Sequence, residues 1–67
     1  MDTMERVREL AKERNLSLHA LAKMCNVPYS TLKNTEQRNG QLTVDTIERI
    51  CFGLEMPMSQ FFTEKGA

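Results

Sequence analysis

The 67-residue chain carries nine Lys and Arg against nine Asp and Glu, and therefore has no formal net charge at pH 7. Chains of roughly 55–65 residues fold alone only marginally, so a single domain over 1–67 is expected, with a core at about 4–62 and a flexible tail at 63–67. No stretch approaches a membrane span, and the start, MDTMERVREL, lacks the apolar run of a signal peptide, which favours a cytoplasmic protein.

The two cysteines, Cys25 and Cys51, both fall on the apolar side of a predicted helix. One disulfide is a conceivable reading of this pair. Two small buried side chains in a reducing compartment are favoured, because free cysteine behaves as a small hydrophobic residue.

The first part of the chain predicts a helix that Thr3 caps and that ends near Asn15. The charged residues between its apolar positions, Arg6 among them, are expected to face solvent. The apolar positions are spaced by three and four: Met4, Val7, Leu10 and Ala11.

A second helix is predicted to begin after Ser17, which can cap it, and to end at Asn26, a residue that tolerates the left-handed conformation. Pro28 suits the first turn of a third helix over 28–37, because a missing backbone donor costs nothing there. The apolar face of the second helix is Leu18, Leu21, Ala22 and Cys25.

After a loop at 38–42 that turns at Asn39-Gly40, Thr43 is expected to cap a fourth helix. Its apolar stripe is Val44, Ile47, Ile50, Cys51 and Leu54. Pro57 then opens a short fifth helix that carries Met58, Phe61 and Phe62. Because no strand pattern occurs, the prediction is an all-α fold, a compact bundle of five helices.

The third helix has an unusual outer face. Leu32 and Thr35 should point inward, with Tyr29 beside the outer stripe. The stripe itself follows the i, i+3, i+4, i+7 spacing: Ser30, Lys33, Asn34 and Gln37. It contains no strong acid, and its amide, hydroxyl and ammonium groups are ones that contact base edges and phosphates. An ordinary solvated helix face remains the alternative at this point.

The order of these elements resembles the helix-turn-helix of Cro/cI-type repressors, the XRE family. The residues that match the family pattern are Leu10, either Leu16 or Leu18, Ser17, Leu21, Ala22, Val27, Ser30, Thr31, Leu32, Glu36, Thr43, Thr46, Ile47, Ile50, Leu54, Phe61 and Phe62. The resemblance covers about residues 4–62. It implies a lambda-repressor-like fold with helices two and three as the helix-turn-helix, and a bacterial regulator that is nucleoid-associated when bound.

The resemblance also implies site residues. The third helix would lie in the major groove of double-stranded DNA, with base edges read by Tyr29, Ser30, Lys33 and Asn34. Phosphates would be contacted by Ser17, Gln37, Arg38, Asn39 and Gln41.

The chain departs from the family pattern in ways that affect these contacts. The family's glutamine after the second helix's cap is Leu18 here, and its late helix-one arginine is Ala11. Glu36 is therefore expected to use another partner, either Arg8 or Arg14. The glycine expected between helices four and five is Glu55, an awkward residue for a left-handed conformation.

The distribution of charge indicates that the segment with the helix-turn-helix is the one that faces DNA. Residues 16–43 hold three bases and one acid, a net +2, and the remainder holds six bases and eight acids, a net −2. So small a surplus implies weak binding by one copy. A homodimer on a pseudo-palindrome is therefore predicted. The apolar tail is the candidate surface for it: Met56, Met58, Phe61 and Phe62. The alternative is that at least one of the phenylalanines closes the core.

No other chemistry is indicated. His19 and Cys25 have neither the number nor the spacing of metal ligands, and no catalytic set, cofactor motif or small-molecule site is recognisable. The prediction is a non-enzymatic, sequence-specific DNA-binding regulator of the phage-repressor or mobile-element/antitoxin kind. The alternative from another class is a helix-turn-helix fold that contacts protein and has little DNA affinity.

Overall fold

The computed structural model describes residues 2–63, which form five helices and no strand. The helices are α1 (Thr3–Glu13), α2 (Leu18–Met24), α3 (Tyr29–Gln37), α4 (Val44–Gly53) and α5 (Met58–Phe61). The predicted all-α architecture is confirmed. Of the tail expected at 63–67, all but Thr63 lies outside the described residues. None of the helices within 2–63 is long and apolar enough to cross a membrane.

Two of the three predicted helix caps are confirmed. Ser17 Oγ accepts the N–H of Ala20 at 3.0 Å, and Thr43 Oγ1 accepts the N–H of Thr46 at 3.2 Å. The prediction that Thr3 caps α1 is wrong, because the Asp2 carboxylate accepts the first free N–H groups of that helix. A carboxylate interacts more favourably than a hydroxyl with the positive end of a helix dipole, and Thr3 is left as the first helical residue.

The prolines lie just outside the helices that they were expected to begin. Pro28 and Pro57 have ψ angles of 131° and 153°, so each is the extended residue before its helix. Helix α3 therefore begins at Tyr29, and α5 begins at Met58 and ends before Phe62. No side chain caps either helix. Each proline therefore fixes the φ angle of the residue just before its helix, and not that of a residue in the first turn.

Helices α1 to α4 end in the same motif, with a left-handed residue that redirects the chain. The four residues and their φ angles are Asn15 (57°), Asn26 (57°), Asn39 (54°) and Glu55 (55°). In each case the next N–H bonds to a carbonyl five residues back, as Val27 does to Ala22 at 2.9 Å. This Schellman geometry satisfies carbonyls that a helix end leaves unpaired. The predicted reversal at Asn26 is confirmed, and Glu55 adopts the left-handed conformation without the amide that favours it in asparagine.

The core is formed by the apolar faces of all five helices. Its fully buried large side chains are Val7, Leu10, Leu21, Leu32, Ile50 and Phe61. Each such side chain contributes roughly 1.5–3 kcal/mol through its removal from water. Val44 is the exception to the predicted stripe of α4, since 63% of it is exposed. As the first residue of α4 it lies beyond the part of the helix that other helices cover.

Arg6 is buried, contrary to the prediction that the charged residues of α1 face solvent. Its Nε donates to the carbonyl of Phe61 at 2.6 Å, and its Nη2 donates to the carbonyl of Gln60 at 2.9 Å. Glu9 pairs with its Nη1 at 3.2 Å. The guanidinium thus supplies donors for the C-terminal end of α5, and its burial is compensated by charge-assisted hydrogen bonds.

Both cysteines are buried free thiols, as favoured from their positions in the sequence. Burial raises the pKa of the Cys25 thiol, and the nearby Cys51 raises it further, while Arg14 acts in the opposite direction. Burial likewise raises the pKa of Cys51, against a smaller lowering by Arg6. Neither thiol is therefore a reactive thiolate near neutral pH.

Candidate nucleic-acid interface

Helices α2 and α3 form a tight helix-turn-helix. The turn between them contains Asn26, whose left-handed backbone redirects the chain, and Val27, whose side chain is buried beneath it. Ala22 is also buried, and its small side chain lets the two helices approach closely. The N–H groups of Cys25, Asn26 and Val27 all bond to carbonyls of α2, which fixes the direction in which α3 leaves.

The two faces of α3 differ as the sequence predicts. Leu32 is completely buried and Thr35 is nearly so, with the Thr35 hydroxyl donating to the carbonyl of Thr31 at 2.8 Å. The opposite face is accessible: Tyr29, Ser30, Asn34 and Gln37 are exposed, and Lys33 is partly exposed. The groups proposed to read bases therefore lie along one free side of a helix that is anchored by its other side.

Tyr29 is held by a contact that the sequence does not reveal. Its ring meets the ring of His19, near the start of α2, edge to face with centroids 5.0 Å apart. Both residues are exposed. Edge-to-face pairs are favoured by the aromatic quadrupole, so His19 restricts the orientation of the tyrosine at the leading end of α3. Helical periodicity describes each helix separately, so it does not predict a contact between positions on two helices.

Glu36 is the single acid of α3, and its partner is now identified. Arg8 Nη1 lies 2.9 Å from Glu36 Oε2, and Lys33 Nζ lies 3.8 Å from Oε1. Arg14, the other predicted partner, lies 3.9 Å from Glu13 instead. Arg8 on α1 thus replaces the helix-one arginine of the family pattern. The carboxylate is turned toward two cations, which reduces its repulsion of an approaching phosphate.

The residues proposed to contact phosphates are all exposed. Ser17 uses its oxygen to cap α2, and its O–H remains a donor. The Gln41 carboxamide oxygen accepts the backbone N–H of Thr3 at 2.9 Å and the Thr3 hydroxyl at 2.7 Å. This leaves the Gln41 NH₂ group as a donor and ties the loop to α1. Arg38 and Asn39 are exposed at the end of α3, where the Arg38 side chain lies over Gly40.

The tail residues do not form the single apolar surface predicted for a dimer. Phe61 is completely buried and Met56 is 92% buried, so both belong to the core. Met58 is partly buried, and Phe62 is 46% exposed with its ring edge against Phe61. The alternative, that a phenylalanine closes the core, is therefore correct for Phe61, because the fifth helix lies over Arg6 and the end of the bundle.

Sequence reasoning missed the most exposed large apolar side chain of residues 2–63, which is Phe52 at 88% exposure. It lies on the outer side of α4 and lines the same shallow groove as Met24, at the end of α2. The sequence does indicate this exposure, because Phe52 lies outside the apolar stripe of α4 that is predicted to be buried. No group of three or more potential metal ligands occurs within the same residues.

Comparison with known proteins agrees with this geometry. The family model for the Cro/C1-type HTH DNA-binding domain matches residues 6–64. No curated protein and no solved structure matches the chain. The five helices and the exposed α3 are those of a lambda-repressor-like fold, as expected. The chain belongs to the family of Cro/C1-type helix-turn-helix DNA-binding domains.

Proposed function

We propose that this DNA-binding domain acts as a sequence-specific transcriptional regulator of the phage-repressor or mobile-element/antitoxin kind. The observation that carries the proposal is the outer face of α3, which none of the other helices described by the structure covers. It offers donors and amides, with no strong acid on the stripe. In the proposed complex α3 lies in the major groove of double-stranded DNA. The protein would work in a bacterial cytoplasm, a compartment that suits two free thiols.

Each base-reading residue has a chemical role in this proposal. Asn34 can pair bidentately with an adenine edge, and Ser30 can donate or accept. Tyr29, with its ring against His19, presents its phenol at the leading end of the helix. Lys33 exchanges its long contact with Glu36 for a guanine acceptor or a phosphate. That exchange is inexpensive, because exposed ion pairs contribute only about 0–1 kcal/mol.

Phosphate contacts would fix the register of α3. Ser17 and Gln41 offer exposed donors before and after α3 in the chain, Gln37 is its last residue, and Arg38 and Asn39 follow it. Such contacts position a protein on DNA without reading sequence. The carboxamide of Gln41 is pre-oriented by its two bonds from Thr3, so less side-chain freedom is lost when it binds.

A homodimer on a pseudo-palindrome completes the proposal. The DNA-facing residues 16–43 supply only a net +2, and a single small module buries roughly 600–1,000 Å² on DNA. Two copies on half-sites about one helical turn apart would double both contributions.

Selection of binding sites from random duplexes tests the function. An enriched half-site is expected, and Asn34→Ala should cost about 1–3 kcal/mol and relax one base position. Gln60→Ala, which removes an exposed amide on α5, is the matched control and should leave affinity unchanged. Lys33→Ala should reduce the salt slope by about one unit if the ammonium neutralises a phosphate, whereas Lys12→Ala on α1 should not.

A protein-contact module is the competing function, and Leu18 favours it. This side chain stands where the family has a glutamine that contacts phosphate, and it is partly buried against the core instead. Random-duplex selection separates the two functions, since a protein-contact module would enrich no sequence even at low salt. Such a result would refute the regulator proposal.

A further inference from the structure

His19 is the one histidine of the chain, and its ring lies at the edge of the proposed DNA-facing surface. It is exposed on the first turn of α2, with its ring centroid 5.0 Å from that of Tyr29, the first residue of α3. In helix-turn-helix complexes the helix before the reading helix crosses the DNA backbone. A side chain that reaches from α2 to the leading end of α3 therefore lies at the rim of the groove, where the phosphates are.

The nitrogens of the His19 ring are free to bind a ligand. The ring packs edge to face against Tyr29, and it makes no hydrogen bond or ion pair with another of the residues 2–63. A neutral imidazole has one N–H donor, and a protonated imidazole has two. The aromatic neighbour thus restricts the ring while its donors remain available.

The surrounding residues leave a protonated His19 without a counter-ion. Tyr29 is the titratable group that faces the ring from α3. Lys23, one turn along α2, is itself a cation. Glu13 and Arg14, which follow one another where α1 leads into α2, form a pair with charged atoms 3.9 Å apart. Within residues 2–63 no carboxylate forms an ion pair with the imidazole, so an external anion would supply the missing charge.

One added charge is large compared with the charge of the DNA-facing segment. Residues 16–43 carry a net +2 when His19 is neutral, and its protonation raises this to +3. Histidine is the side chain that ordinarily changes charge between about pH 5 and pH 8. Each phosphate that a protein neutralises steepens the salt dependence of its DNA affinity by about 0.9 units. A weakly charged interface of this kind should therefore respond measurably to a single proton.

We propose that His19 contacts a DNA phosphate in its protonated form, so that the protein takes up a proton when it binds DNA. The ring, restricted by Tyr29, donates an N–H to a phosphate oxygen at the rim of the major groove. The proton comes from solvent and stays on the imidazole while the complex lasts. Because linkage is reciprocal, a contact that favours the protonated ring raises the DNA affinity as the pH falls. The inference rests on the proposed function in taking α3 as the helix that enters the groove.

Fluorescence anisotropy of labelled duplexes tests the proposal with the whole chain at about pH 5.5 and about pH 8. The two probes are the duplex enriched by selection and a scrambled duplex of the same length and composition. Both should be bound at least about threefold more tightly at the lower pH, with a salt slope steeper by about one unit. The change should be equal for the two duplexes, because a phosphate contact carries no sequence information.

Two substitutions at His19 separate its charge from its shape. His19→Gln retains a donor but cannot be protonated, so it should bind at both pH values as the wild type does at the higher one. His19→Lys is charged throughout the range and should bind at both pH values as the wild type does at the lower one. The matched control combines His19→Gln with Gln60→His, which moves the histidine to an exposed position on α5 and should not restore the pH dependence. Circular dichroism should show the same helix content for all of these variants, since both positions are exposed.

Four outcomes would overturn the inference. They are a wild-type affinity that is the same at both pH values, a pH dependence that survives in His19→Gln, a His19→Lys variant that binds no better than His19→Gln at the higher pH, and a pH dependence confined to the enriched duplex, which would assign the ring to a base.

Failure of the proposed function gives a different result. A chain that enriches no half-site but binds the scrambled duplex more tightly at low pH through His19 would uphold this inference and exclude the sequence-specific regulator. An enriched half-site that is bound equally at both pH values would do the reverse. A chain that binds neither duplex at low salt would overturn both.

Discussion

Replacing Gly53 by alanine is expected to destabilise this protein, although the same change stabilises most helices. Gly53 is the last residue of α4. A Cβ atom there would lie 2.7 Å from Cys25 Cα and 2.7 Å from Cys25 Sγ. Favourable contacts between carbon atoms lie at about 3.5–4.0 Å, so α2 and α4 must separate. The obstacle includes backbone, which cannot rotate away as a flexible side chain would.

Two opposing effects determine how much Gly53→Ala changes the free energy of unfolding. Within a helix, alanine is more stable than glycine by about 1 kcal/mol. Overpacking of a tight core contact costs about 1–3 kcal/mol, and the backbone partner places this site at the upper end. The free energy of unfolding should therefore fall by about 2 kcal/mol, which lowers the melting temperature of so small a domain by about 10 °C.

Urea denaturation followed by circular dichroism measures the loss in the Gly53→Ala variant. Glu48→Ala, on the exposed side of the same helix, is the matched control and should change stability by less than about 0.5 kcal/mol. Cys25→Ala combined with Gly53→Ala should recover part of the loss, since it removes the sulfur but keeps the backbone contact. A Gly53→Ala protein that is about 1 kcal/mol more stable than the wild type would refute the close approach of α2 and α4.

Three further predictions concern stability. Glu55→Asn should raise the free energy of unfolding by about 0.5–1 kcal/mol, because asparagine tolerates the left-handed conformation of this residue better than glutamate does. An unchanged melting temperature would show that glutamate costs no more than asparagine at this position. Arg6→Met keeps the apolar stem but leaves the carbonyls of Gln60 and Phe61 without their charged donor, and it should cost about 2–3 kcal/mol in urea denaturation. Because folding raises the pKa of both thiols, the unfolded chain loses these protons at a lower pH than the folded protein does. Their contribution to stability is therefore complete below about pH 8.5 and is lost as the pH rises above it, and the double Cys→Ala variant should lack this part of the slope.

The left-handed turns fix the directions of the helices that form the candidate nucleic-acid interface. In three of the four turns the residue is asparagine, so the direction in which each helix leaves the last is encoded locally. Local encoding of the turn between α2 and α3 means that the position of the candidate reading helix depends little on distant contacts. The helix-turn-helix is accordingly the part of the molecule that a sequence specifies most fully.

The sequence by itself determined the number of helices, most of their inner positions and the outer stripe of α3. The inner positions Leu32 and Thr35, the caps Ser17 and Thr43 and the reversal at Asn26 all depend on spacing or on conformational preference within a few residues. These effects act along the chain, and neighbours in sequence are sufficient to fix them.

Only the tertiary structure decided which residues meet across helices. Arg8 rather than Arg14 reaches Glu36, and His19 meets Tyr29. Arg6 is buried because α5 returns over α1, whereas Phe52 is exposed because none of the helices within residues 2–63 covers that side of α4. Contact and burial depend on how the helices are arranged in space, and helical periodicity describes one helix at a time. The physical origin of the difference is that a side chain's own helix sets its direction, while its neighbours set its environment.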